Sequence, residues 1–85
     1  MPDSPKQFVY ILRSVRDPSR YYTGLTDNVP RRVDVHNSGG SKYTAFLRPW
    51  KLVASVEFTS AESAAGFEKY LKTGSGRAFS KKHFI

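Results

Sequence analysis

Five consecutive residues, Phe8-Val9-Tyr10-Ile11-Leu12, are apolar, β-branched or aromatic with no polar residue between them. Such a run reads as a strand whose two faces are both covered, so it belongs in the middle of a sheet with packed layers on either side. The whole chain has 85 residues and no cysteine, so packing alone must hold that arrangement. A chain of this size buries only about 60–65% of the surface it exposes when unfolded, enough for one small domain. Lack of cysteine suits a reducing compartment, and the expected location is the cytoplasm. The same run is the longest apolar stretch, far short of the roughly 20 residues that cross a bilayer. Asp3, Ser4, Pro5, Lys6 and Gln7 interrupt the start where a signal peptide would be continuously apolar. No membrane partner is expected.

The remaining elements follow from turn and cap chemistry. Residues 1–7 read as a loose or disordered terminus, and residues 8–85 as a single domain. Asp17-Pro18-Ser19 is a turn, after which Tyr21-Tyr22-Thr23-Gly24-Leu25-Thr26 forms a second strand paired with the first. Gly24 inside that strand marks a bulge or a close backbone approach. Asp27-Asn28 before Val29-Pro30 supplies an Asx cap for a helix that runs to His36 or Asn37, with Val29, Val33 and His36 on one side. Residues 41–46 suit a helical turn, ended by Arg48-Pro49. In the third strand, 50–58, alternation puts Trp50, Leu52, Ala54, Val56 and Phe58 on one face. Thr59-Ser60-Ala61-Glu62 reads as a capping box for a second helix bearing Ala64, Phe67, Glu68 and Leu71 on one side. Gly74-Ser75-Gly76 ends that helix, and residues 77–84 form a last basic helical turn. The expected fold is α/β: a three-stranded antiparallel sheet flanked by helices in β-β-α-β-α order, with short extra helical turns.

Charge is the strongest functional signal. Fourteen Lys and Arg against seven Asp and Glu give a formal +7. From Lys69 onward there are five cations, Lys69, Lys72, Arg77, Lys81 and Lys82, and no acidic residue. Arg31, Arg32, Lys42, Arg48 and Lys51 form a second group, opposed only by Asp34. Such clusters attract polyanions, chiefly nucleic acid. Two histidines and no cysteine make a zinc site a poor expectation; a hard cation on carboxylate oxygen suits the composition better.

Phe8-Val9-Tyr10, Tyr22-Thr23-Gly24, then Arg32, His36 and Glu68, in that order, resemble the GIY-YIG nuclease domain. The resemblance runs from residue 8 to about 84. Tyr43-Thr44, Arg48-Pro49-Trp50-Lys51-Leu52-Val53 and Leu71-Lys72-Thr73-Gly74-Ser75-Gly76-Arg77 resemble its small stand-alone bacterial branch. The family also includes homing endonucleases and the N-terminal nuclease of bacterial excision repair. The resemblance implies hydrolysis of DNA phosphodiesters with one divalent ion, Mg²⁺ or Mn²⁺, held by Glu68. It further implies catalytic Tyr10, Tyr22, Arg32 and His36, with Gly24 as a structural glycine. A scissile phosphate gathers negative charge as it is attacked, so a site needs cations, a base and an aimed water. Tyr10 is the expected base and Tyr22 the residue that positions water or acts as co-base, with Arg32 and the ion favouring the phenolate. His36 would relay the proton or hydrogen-bond Tyr10. Glu68, on a side of the helix that is normally buried, needs either a cation or a salt bridge to Arg32.

The expected DNA contacts are Arg31, Lys42, Arg48, Lys72, Arg77 and Lys81, and exposed aromatics among Tyr43, Phe46, Trp50 and Phe79 are candidates for stacking on an unpaired base. The chain departs from the family pattern at Phe8, Thr23 and Leu25, and has no asparagine after Asn37. The leading expectation is a metal-dependent DNA endonuclease, structure-selective in repair or recombination. It would act as a monomer or weak dimer, with a repair protein as partner. The alternative is a nucleic-acid-binding module with weak or no catalysis.

Overall fold

The computed structural model describes residues 7–85. The expected loose terminus lies outside the described residues except for Gln7, which already opens the first strand. The order is β1 (Gln7–Ser14), β2 (Tyr21–Thr26), α1 (Val29–Asn37), a 3-10 turn (Ala45–Leu47), β3 (Trp50–Phe58), α2 (Ala61–Leu71) and α3 (Gly74–His83). The strands form one antiparallel sheet in the order β2-β1-β3, so the doubly apolar strand is central, as its sequence demands.

Alternation along β1 divides the core in two. Tyr10 and Leu12 join Val29, Leu47 and Trp50 on the α1 face, with Phe8, Tyr22 and Val33 against them. Val9 and Ile11 join Ala64 and Leu71 on the other face, with Phe58, Phe67, Phe79 and Phe84 around them. Asn28 caps α1 by accepting from the Arg31 amide at 3.1 Å. In the β1–β2 loop, Asp17 accepts from the backbone and hydroxyl of Ser19, the turn its sequence predicts.

The structure revises several local expectations. β3 does not keep one face: its register against β1 shifts between Ile11, opposite Ala54, and Leu12, opposite Leu52. The extra residue, Val53, turns the strand over, because a bulge exchanges the two faces of everything beyond it. Trp50 and Leu52 therefore lie on the α1 face, and Ala54, Val56 and Phe58 on the other. Ser60, not Thr59, caps α2 by accepting from the Ser63 amide, so Glu62 stands in the first turn without closing a capping box. The helical turn expected over 41–46 falls at Ala45–Leu47.

The C-terminal end differs most. Thr73 caps a ten-residue helix that starts at Gly74, so the glycines open α3 where a break with a later basic turn was expected. Gly76 is there for contact: a Cβ on it would stand 1.9 Å from the Tyr70 carbonyl oxygen and 2.6 Å from the Leu71 Cα. Only glycine lets α3 start against the end of α2.

Candidate active site

Tyr10 projects from the central strand into the α1 face and is 1% exposed. Its hydroxyl lies 2.8 Å from His36 Nε2. His36, fully buried on the inner side of α1, places Nδ1 2.8 Å from Thr44 Oγ1. Thr44 donates in turn toward the Ser41 carbonyl at 3.5 Å, so its oxygen accepts from Nδ1–H. That leaves Nε2 as acceptor and Tyr10 as donor. The Trp50 indole N–H bonds the Thr44 carbonyl at 2.9 Å and fixes the far end of the chain of contacts. Tyr22, opposite Leu12 on β2, stacks obliquely on His36 with ring centres 4.8 Å apart.

Gly24 faces Tyr10 across the β1–β2 pair. A Cβ there would stand 2.7 Å from the Tyr10 hydroxyl and 2.8 Å from its Cζ. The β1–β2 register has no shift, so Gly24 marks a close approach and not a bulge. Any side chain at 24 would displace the phenol from His36.

Electrostatics set the resting protonation. Burial raises the Tyr10 pKa above its ordinary value; the Arg32 guanidinium pulls it down, while Tyr22 and Glu68 push it further up. With Arg32 as the only cation beside it among the described residues, desolvation outweighs the guanidinium and favours the protonated phenol. Burial, assisted by Arg32, lowers the His36 pKa, so the imidazole is neutral and free to accept. Arg32 is held protonated by its contact with Tyr10. Its Nε is the only buried side-chain polar atom without a hydrogen-bond partner among the described residues.

Tyr10, Tyr22, Arg32 and His36 thus converge on the α1 face. Glu68 does not start there: it sits on α2, which packs on the opposite face. Its charge still reaches the Tyr10 phenol. Its ionic partner is Lys72, one turn on, where Arg32 had been an expected partner. A cleft of about 670 Å³ beside the edge strand is lined by Arg20, Tyr22, Lys72, Arg77 and Lys81, with Ile11 and Leu71 of the α2 face; Tyr10, Arg32, His36 and Glu68 do not line it. Arg31 and Arg32 line a second, smaller hollow of about 450 Å³ with Leu25 and Asp27, and Arg31 is paired with Asp27 at 3.6 Å. Lys42 and Arg48 are exposed but border neither hollow.

A model of the GIY-YIG catalytic domain matches residues 6–82. The chain belongs to the GIY-YIG family. It is 44% identical over 68 residues to a UPF0213 protein of Streptococcus pneumoniae, covering 79% of this chain and 67% of that protein. It is 45% identical over 65 residues to the structure-specific endonuclease subunit slx1 of Talaromyces marneffei, covering 69% of this chain but only 17% of the fungal protein. The solution structure of the UPF0213 protein BH0048 from Bacillus halodurans superposes with a TM-score of 0.54 at 40% identity, covering 89% of this chain and 80% of that one. The shared architecture is the three-stranded antiparallel sheet with three helices in ββαβαα order.

Within this GIY-YIG domain no group of three or more His, Asp or Glu side chains gathers among the described residues. A hard divalent ion fits the donors that exist: Mg²⁺ is commonly held by one carboxylate, with waters and substrate phosphate completing its shell. Glu68 would be that carboxylate, and Lys72, its ion-pair partner, the cation displaced. Sequence reading missed Thr44 and Arg20. Arg20 carried a readable signal, a cation directly before the edge strand. Thr44 stands in the Tyr43-Thr44 pair that carries the family resemblance, but its partner His36, eight residues away across a loop, was not readable.

Proposed function

We propose that this chain, from residue 8 on, is a single-domain endonuclease that hydrolyses DNA phosphodiesters with Mg²⁺ or Mn²⁺. The observation that carries this reading is a phenol hydrogen-bonded to a neutral buried imidazole beside an arginine, in a chain whose edge strand also borders a cation-lined cleft. The substrate strand lies in the cleft, its phosphates facing Arg20, Lys72, Arg77 and Lys81. Tyr22 holds the attacking water at the cleft wall. Tyr10 takes a proton from that water as its own proton passes to His36 Nε2, so a high phenol pKa is no obstacle: no free phenolate is needed. Arg32, hydrogen-bonded to Tyr10, holds the phenol in place and adds positive charge beside it as charge develops. An ion on Glu68 would neutralise the phosphate and stabilise the departing oxygen.

The test is nicking of plasmid and branched DNA with either ion, with Tyr10→Phe and Glu68→Ala as controls. Cleavage abolished in both supports the reading; cleavage that survives both overturns it. Binding should weaken steeply with salt, with a log–log slope near −4 if about four phosphates are neutralised.

The Lys72 clamp on Glu68 favours a second reading, a nucleic-acid-binding module with little catalysis. Salt-dependent binding without turnover on nicked, branched or single-stranded DNA at any Mn²⁺ concentration would select it. Action in DNA repair with a partner protein, in the cytoplasm, is the setting we infer for either; no helix among the described residues is long and apolar enough to cross a membrane.

A further inference from the structure

Between α1 and β3 the chain does something a small protein normally avoids. Tyr43 is 87% exposed and Phe46 64% exposed, within three residues of each other. The segment that carries them is not loose. Thr44, between them, is buried and bonded to His36, its carbonyl accepts from the Trp50 indole, and Leu47 belongs to the core. The two rings are therefore held in water by a fixed scaffold. Their surroundings are cationic: residues 41–48 contain Lys42 and Arg48 and no acid, and Arg16 donates to the Phe46 carbonyl at 3.2 Å.

We propose that residues 41–48 form a stacking platform for unpaired bases, with Tyr43 and Phe46 supplying the ring faces and Arg16, Lys42 and Arg48 the phosphate contacts. A duplex keeps its bases stacked inside and offers these rings nothing, whereas a single strand exposes a π-face at every nucleotide. Charge selects a polyanion over an apolar protein partner, and aromatic rings amid cations select a single strand over a duplex. Thr44 ties the platform to the imidazole that serves Tyr10, so a base held here keeps its strand beside the catalytic face. The proposal deepens the nuclease reading by naming its substrate as DNA with an unpaired stretch, and gives Lys42 and Arg48, which lie outside both hollows, a task.

The experiment measures binding in a chelating buffer, so that cleavage plays no part. Fluorescence anisotropy is read with a labelled oligothymidylate of about ten nucleotides and with a duplex of equal length. Substituting both rings, Tyr43→Ala with Phe46→Ala, should weaken single-strand binding about tenfold or more and change duplex binding by less than about twofold. Tyr43→Phe with Phe46→Tyr should restore the wild-type affinity. In the unaltered protein, titration with the same oligothymidylate should shift the ring proton resonances of Tyr43 and Phe46 upfield, a readout that needs no variant to fold. Unshifted rings, an equal loss on both DNA forms, or unchanged single-strand affinity with altered sedimentation (a self-association surface) would overturn the proposal. Single-strand binding through these rings without any turnover would leave it standing and sink the nuclease reading alone.

Discussion

The two faces of the sheet are built from the same central strand and solve opposite problems. On the α2–α3 face, Val9, Ile11, Ala64 and Leu71 meet Phe58, Phe67, Phe79 and Phe84, with edge-on ring contacts such as Phe67 to Phe79 at 6.2 Å. That face holds the chain together by area and shape. On the α1 face the buried set includes Tyr10, His36 and Thr44, whose polar atoms are all matched to one another. Matched buried polar groups add little net stability but fix direction, since each has one satisfactory geometry. The difference teaches where to look for chemistry: in the face whose contacts are directional.

Substitutions in each face should separate rate from stability. The largest effect expected is on catalysis: Tyr10→Phe should lower cleavage by about 10²–10⁴-fold while changing unfolding free energy by only about 1 kcal/mol. Single-turnover nicking and denaturant titration check both numbers. Val9→Ala, one residue away but on the other face, should do the reverse, costing about 2 kcal/mol with the rate of the folded protein unchanged. Equal rate losses in the two variants would erase the distinction between the faces.

Next, Gly76→Ala should cost about 1–3 kcal/mol or more, because its Cβ meets backbone, which cannot swing aside. A denaturant midpoint equal to wild type would show that α3 does not depend on that contact.

pH sharpens the comparison further. His36 folds with a pKa below its ordinary 6.5, so the unfolded chain binds the extra proton first on acidification. Stability from neutral His36 is complete above about 6.5 and is lost as pH falls from there through the folded pKa. Tyr10, raised above 10.0, gives the mirror case, with stability falling as pH rises past 10.0. A His36→Gln variant whose acid-side stability curve matches wild type would remove His36 as the cause.

The smallest effect is at the Glu68–Lys72 pair. An i,i+4 pair with Lys72 half exposed is worth about 0.3–0.5 kcal/mol, so Lys72→Ala should tighten Mn²⁺ binding by about twofold. Calorimetry reads it, and weaker Mn²⁺ binding would mean that Lys72 helps rather than competes.

Much of this was legible in the residues. The doubly apolar run Phe8 to Leu12 could be satisfied only in the middle of the sheet, Asp27-Asn28 with Pro30 could only start a helix, and Gly24 marked either a bulge or a close approach. Those signals are local: each depends on side chains within a few positions and on backbone rules that hold in any fold. The reversal of β3 at Val53, the start of α3 at Gly74 and the partner of Thr44 were not legible. Each depends on a surface brought from elsewhere in the chain. The pKa of Tyr10 belongs with these, since composition announced the cations while only packing revealed how much water the phenol loses. Sequence alone determined the three strands, the first two helices and their order. Tertiary structure decided which face each residue serves and which protons are held, because burial and distance are properties of the assembled chain.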